Sequence, residues 1–307
     1  MENRNKSVCV LLSSYNGEKY LTVQLDSLLA QRGVNLKILV RDDGSSDGTC
    51  AILEKYQQAG KLNFFQGENV GYAKSFYLLV KNAPDCDYYA YCDQDDFWEE
   101  DKLSTAVAML EKLDKEKPAL YYSALKVVDK DLNFLYNSHK NFKIGAHPFQ
   151  GSFLLANTYG CTSVFNAAAR DKLLKYKYET FYAHDANINM VAAALGTVVF
   201  DPTPHVQYRQ HENNIFGYPD MSLKKIKKTL HQIFHVDGQN MRLKEMRKIK
   251  AQFYDELSDE NKEFCDLICN YKNSPQDRDR LLNYKLFKTN DLIFNFLLRW
   301  FINKGRL

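Results

Sequence analysis

The chain has 307 residues, of which 45% are hydrophobic, 13% aromatic and 26% charged. That length fits one large domain or a domain with an appendage, and that composition excludes a disordered chain. A net charge of +3, from 41 basic and 38 acidic residues, excludes a dedicated nucleic-acid binder. The charge is uneven, however. Residues 220–307 hold 18 basic and 12 acidic residues, net +6, so residues 1–219 carry net −3. Seven cysteines form no CxxC pair, and Cys265 and Cys269 lie one helical turn apart without a ligand set. They read as small hydrophobes in a reducing compartment. The polar stretch Met1 to Lys6 leads directly into a strand, which argues against a signal peptide, and no apolar run is long enough to span a membrane. The expected address is cytoplasmic, including the inner face of the cell membrane.

In chain order, Ser7 to Ser13 reads as a buried strand, and Glu18 to Gln31 as a helix with Leu21, Leu25, Leu28 and Leu29 on one face. A strand follows at Leu36 to Arg41. The turn Asp42-Asp43-Gly44-Ser45-Ser46-Asp47-Gly48 supplies caps for a helix through Tyr56. Leu62 to Gln66 is a strand, Tyr72 to Asn82 a helix and Tyr88 to Cys92 a strand. Further on come a helix at Glu99 to Glu116 and strands at Leu120 to Val128 and Cys161 to Asn166. His184 to Leu195 is a helix ended by Gly196, and Thr197 to Asp201 a strand. No internal repeat is visible. After about Pro219 the pattern is helical throughout, which places a domain boundary between 219 and 220. Strands separated by helix-length segments imply crossover units and an α/β fold with a mostly parallel sheet.

In such sheets ligands bind beyond the carboxyl ends of the strands. The polar clusters fall there: Ser13-Ser14-Tyr15-Asn16, Asp42-Asp43 and Asp93-Gln94-Asp95-Asp96. In extended backbone Asp93 and Asp95 point to one side and are able to converge on a hard divalent cation, Mg²⁺ or Mn²⁺. The competing reading is a solvated acidic turn, with Asp96 or Glu99 capping the next helix. Asp42 and Asp43 offer acceptors for a ligand N–H, or else bind their own turn.

These segments resemble the family 2 glycosyltransferases, which have the GT-A fold. Four stretches carry the resemblance: Ser14-Tyr15-Asn16-Gly17-Glu18, Arg41-Asp42-Asp43-Gly44-Ser45, Glu68-Asn69-Val70-Gly71 and Cys92-Asp93-Gln94-Asp95-Asp96-Phe97-Trp98. The last is similar to the bacterial rhamnosyltransferase-like branch. Gly160-Cys161-Thr162, His184-Asp185 and Tyr208-Arg209-Gln210-His211 follow in the family's order, so the resemblance covers residues 7 to 216.

The resemblance implies roles. Ser13 and Tyr15 would line the base pocket, Asp43 would accept the pyrimidine N3–H, and Asp42 would shape that loop. Asp93 would contact the ribose and the metal shell. Asp95 would be the principal metal ligand, and Asp96 a supporting acid near the donor sugar. Asp185 would be the general base, with helix N-capping as its competing role. Arg209 and His211 would lie near the diphosphate, His211 as a further metal ligand. The implied activity is inverting, metal-dependent transfer of a sugar from a UDP- or dTDP-sugar to a hydroxyl of a glycan, glycolipid or glycoprotein. Related sequences often have aromatic residues after His-Asp, whereas this chain has Ala186-Asn187, so the sugar pocket departs from the rhamnose pattern.

Residues 221–250 hold nine basic and two acidic residues, and Leu223 and Ile226 among Lys224, Lys225, Lys227 and Lys228 suggest an amphipathic helix. Leu292 to Ile302 is apolar and too short to span a bilayer. It fits docking on the catalytic domain, self-association or a membrane surface. Two alternatives stay open. A sugar-nucleotidyltransferase would need a glycine-rich N-terminal loop that residues 11–20 lack. A non-catalytic nucleotide-sugar-binding relative would act as an oligomeric assembly partner.

Overall fold

The computed structural model describes residues 5–138, 149–154, 158–176, 183–212, 236–284 and 292–305. The segment 223–228 lies outside the described residues, as does the boundary at 219/220.

The first half alternates strand and helix as its periodicity predicts. Strands β1 (Ser7–Ser14), β2 (Asn35–Asp42), β3 (Asn63–Gln66) and β4 (Tyr88–Cys92) are linked through helices α1 (Leu21–Leu29), α2 (Thr49–Gln58) and α3 (Tyr72–Asn82). Strand β5 (Phe97–Trp98) and helix α4 (Lys102–Leu110) follow, then β6 (Ala119–Ser123), β7 (Lys126–Val128) and β8 (Phe134–Asn137). Beyond helix α5 (Phe149–Leu154), a 3₁₀ turn at Gly160–Thr162 leads to β9 (Val164–Asn166), α6 (Ala167–Lys175), α7 (His184–Leu195), β10 (Thr197–Asp201) and β11 (Val206–Arg209).

A seven-stranded sheet runs in the order β10-β6-β9-β4-β1-β2-β3. Its pairs are parallel except those of β9, which lies antiparallel between β4 and β6. Val8 to Leu12 of β1 are wholly buried, as a central strand covered by helices on both faces requires. Leu21, Leu25 and Leu28 of α1 are buried at helical spacing. Strand order reverses on either side of β1 and β4, so their carboxyl ends open a crevice.

A second sheet, β5-β11-β7-β8, is absent from the sequence expectation. The predicted strand over Leu120 to Val128 divides at Ala124-Leu125 and serves both sheets. The Ala124 N–H donates to Asp201 O (2.8 Å) and the Leu125 N–H to Ser138 Oγ (2.7 Å). Apolar periodicity reports burial and continues through both strands, so it carries no mark of the sheet change. The predicted strand over Cys161 to Asn166 likewise begins as a 3₁₀ turn.

The chain forms two compact units. The first is Met1–Ala146, Thr158–Ala192 and Gly196–Gly217. The second is His147–Asn157, Ala193–Leu195 and Tyr218–Leu307. In the second, helices Val236–Phe253, Asp259–Asn270, Pro275–Leu282 and Leu292–Asn303 follow one another. Ser258 and Ser274 cap two of them by accepting from Asn261 N (3.2 Å) and Asp277 N (3.1 Å). Phe264 sits edge-on to Phe149 and Phe153 at the centre of this unit. All seven cysteines are free thiols, five of them buried.

Candidate active site

The loop after β1 is built for close approach. Asn16 takes a positive φ of 48° and its side chain accepts from Ser46 N (2.9 Å). A Cβ at Gly17 would come 2.2 Å from Gln94 Oε1, so a side chain there would displace Gln94. Gln94 in turn grips the Tyr15 backbone twice. Tyr15 N donates to Oε1 (2.8 Å) and Nε2 donates to Tyr15 O (3.0 Å). The Tyr15 ring is left 48% exposed at the crevice. Ser13, half-buried, shares a hydrogen bond with Ser75 (2.6 Å).

The two acids after β2 divide the work. Asp42 is completely buried and accepts from Ser45 N (2.9 Å), Ser45 Oγ (2.5 Å), Gly44 N (3.2 Å) and Ser14 Oγ (3.2 Å). It holds the turn and has no surface for a ligand. Asp43 pairs with Arg41, and accepts from Val70 N and Gly71 N (both 2.9 Å). The Glu68-Asn69-Val70-Gly71 stretch thus wraps Asp43. Asp43 is 3% exposed, and its Oδ2, which accepts from Gly71 N, has a second lone pair.

The acid turn after β4 is the centre of the site. Asp95 Oδ2 lies 2.8 Å from His211 Nε2. The His211 ring stacks on Tyr20 with centroids 4.9 Å apart. Asp93 is half-buried, and its carboxyl is pushed up to about 7 by burial and by the charges of Asp95 and Asp185. Asp185, in the first turn of α7, is pushed up to about 6 by burial, while its Oδ1 accepts from Ala186 N (2.7 Å). Its neighbour His184 is buried and stacked on Phe76 (3.8 Å), with its pKa lowered to about 3 by burial. A Cβ at Gly160 would come 2.1 Å from His184 Nε2, which explains the glycine there.

Two residues are engaged within the fold. Asp96 is fully buried. Its Oδ1 accepts from Arg209 N (3.1 Å). Arg209 is only 3% exposed, and its guanidinium donates to the carbonyls of Asp95 (2.7 Å) and Lys130 (2.6 Å). Its guanidinium carbon also sits 4.6 Å from the Tyr20 ring centroid. Both residues tie the acid turn to β11 instead of meeting solvent.

Sequence reasoning missed Gln94, Tyr20 and Lys102. Lys102 is fully buried, with Nζ 2.9 Å from the Trp98 ring centroid, and its pKa is lowered to about 7 by burial. Nothing in a helical charge pattern separates an inward lysine from a solvated one. Asp93, Asp96 and Cys161 also place one ligand atom each within 4.8 Å of one another. Burial and the charges of Asp96 and Asp93 push the Cys161 thiol well up. A separate open cavity lined by Glu99, Asp101, Lys126 and His205 gathers none of the predicted residues.

The profile of glycosyl transferase family 2 matches residues 9–176, more than half of the chain. The chain belongs to this family. The transferase is 28% identical over 224 residues to dTDP-rhamnosyl transferase RfbG of Shigella flexneri, covering 67% of this chain and 73% of that one. It is 26% identical over 212 residues to an uncharacterized glycosyltransferase of Rickettsia typhi, covering 67% of this chain but only 64% of the relative's length. Among solved structures, Staphylococcus aureus TarS 1-349 in complex with UDP-GlcNAc superposes with TM-score 0.57 at 16% identity, over 98% of this chain and 92% of that one. The mannosyltransferase PcManGT of Pyrobaculum calidifontis, in complex with GDP-Man and Mn2+, gives 0.53 at 16%, over 99% and 81%. At such identities the likeness shows the fold alone. The transferase has the GT-A fold that its sequence motifs imply.

Proposed function

We propose that this transferase moves a sugar from a UDP- or dTDP-sugar to an acceptor hydroxyl with inversion, assisted by Mg²⁺ or Mn²⁺, in assembly of a bacterial surface polysaccharide or glycoprotein. The observation that carries the reading is the convergence of Asp93, Asp95 and His211 with Asp185 at the carboxyl ends of the central strands. A single displacement needs a stabilised leaving diphosphate and a base for the acceptor, and no enzyme nucleophile.

The donor set fits a hard divalent ion. Asp95 and His211 hold an oxygen and an imidazole nitrogen 2.8 Å apart, close enough to share one cation. Asp93 is raised by burial and then by the charges of Asp95 and Asp185, which a cation would offset. When bound, the ion supplies Lewis-acid stabilisation of the diphosphate. The chain's own residues do the rest. Asp43 Oδ2 offers the acceptor for a pyrimidine N3–H, and Ser13 and Tyr15 line the base. Asp42 fixes their loop. Asp96 and Arg209 hold the acid turn against β11. Asp185, raised toward neutrality by burial, takes the acceptor proton. Catalysis is assigned to residues 1–219, and residues 220–307 to membrane-surface contact, docking or oligomerisation. The proposed location is cytoplasmic. No described helix is long and apolar enough to cross a membrane.

A thermal-shift screen of UDP-, dTDP- and GDP-sugars with and without Mn²⁺, followed by transfer assays, tests the reading. Stabilisation by UDP- or dTDP-sugars that deepens with Mn²⁺ is expected. No shift with any nucleotide overturns it. Binding without transfer to any acceptor supports the non-catalytic relative. Full transfer by Asp95→Ala removes the metal role.

A further inference from the structure

We propose that the outer face of the Leu292–Asn303 helix docks the protein on an anionic lipid surface. The helix is two-faced. Leu298, Phe301 and Ile302 are buried in the second unit, and Arg299 NH1 donates to Leu282 O (3.1 Å), fixing the helix on its neighbour. The opposite side presents Phe296, 70% exposed, and Trp300, 41% exposed, one turn apart. Phe296 is the most exposed of the large hydrophobic side chains among the described residues.

The charge around this face selects its occupant. Residues 292–305 contain Arg299 and Lys304 and no acid. Both cations are exposed, and Lys304 lies one turn beyond Trp300, as Trp300 lies one turn beyond Phe296. Aromatic side chains bordered by cations suit the headgroup boundary of an anionic bilayer. There the ring is half immersed and the cation meets lipid phosphate. The helix is about 18 Å long, against about 30 Å for the hydrocarbon core, so it lies on the surface.

A second copy of the chain fits less well. The two rings offer on the order of 200 Å² of apolar surface. A stable protein interface buries about 800 Å² per partner. A lipid surface needs no complementary shape, and a small apolar contact combined with cations gives reversible binding.

The inference does not rest on the donor reading, and donor thermal shifts measured alongside keep the two apart. The full chain is sedimented with vesicles of phosphatidylcholine alone and of equimolar phosphatidylcholine and phosphatidylglycerol. Binding is expected only to the anionic vesicles, and to weaken as salt rises. Phe296→Ser with Trp300→Ser should weaken it at least tenfold. Lys304→Glu should weaken it about fivefold or more, each basic residue near the surface being worth about that factor. Trp300 emission should shift to the blue with anionic vesicles, against a constant background from Trp98, the other tryptophan, which is fully buried. Circular dichroism verifies that the variants fold. Should the double variant misfold, Lys304→Glu and the emission of the parent protein decide. Vesicle-independent sedimentation, unchanged binding by the variants, or a lower solution mass of the double variant in light scattering each overturns the proposal. The last outcome assigns the face to a second copy.

Discussion

The two units use aspartate in opposite ways. In the first, Asp93 and Asp185 sit half-buried beside other acids, with carboxyls raised to about 7 and about 6. In the second, burial pulls Asp266 up, but hydrogen bonds from Lys250 (2.6 Å) and Tyr254 (2.7 Å) outweigh it and hold the carboxyl below its usual range. The lesson concerns what each charge is for. Asp266 has an internal partner and strengthens a helical packing. Asp93 and Asp185 have no ion pair among the described residues, and their local environment opposes ionisation. That is the signature of a site awaiting external positive charge or an external proton.

This contrast is open to measurement, and the largest effect should come from the acid that faces His211. Asp95→Ala is expected to lower the transfer rate by ~10³-fold, about 4 kcal/mol of transition-state stabilisation. It should also abolish any response of donor binding to Mn²⁺ in calorimetry. Retained metal response would move the cation elsewhere.

Asp185→Asn should lower transfer by about 10²- to 10⁴-fold and yet stabilise the fold. The folded carboxyl titrates near 6 rather than 3.8, so ionisation opposes folding once pH exceeds about 4, and fully above about 6. The gain, on the order of 1–3 kcal/mol, should therefore appear in urea melts at pH 8 and vanish at pH 4. The parent's rate should rise with pH through about 6.

Lys102→Met tests a buried cation of the first unit. Its folded pKa of about 7 lies below the ordinary 10.5, so charging it opposes folding. The variant should be more stable by on the order of 1–4 kcal/mol, fully below pH 7 and not above about 10.5. Gly17→Ala should displace Gln94 from Tyr15 and raise the donor KM about tenfold, about 1.4 kcal/mol, with kcat nearly unchanged. Smallest of all, Lys250→Ala removes a partly exposed pair, and chemical denaturation should register about 0.2–1 kcal/mol.

Much of the first unit was legible because its rules are local. Apolar runs such as Val8 to Leu12 mark buried strands, and Leu21, Leu25 and Leu28 mark a helix face. Acids placed just after such runs are candidates on topology alone. What stayed hidden depends on partners distant in sequence. That Asp96 is tied to β11 depends on Arg209, 113 residues away. Tyr20 reads as a helix-start residue until His211 is seen stacked on it. The second sheet escaped because β5, β7 and β11 are two to four residues long, too short for alternation to register.

The four residues between β4 and β5 join two different sheets. Asp93 leaves the large sheet, and Phe97 enters the small one opposite Gln207. The connection is thus a tie-rod of fixed length, anchored at both ends and braced along its middle by Arg209 and His211. A single inserted residue cannot be absorbed as slack. It would reverse the side-chain alternation and swing Asp95 away from His211 while leaving both sheets paired. The exposed turn at Ala59 to Lys61, which none of these ties touches, should accept the same insertion freely. In this protein the spacing of the acids is held as a mechanical dimension of the fold.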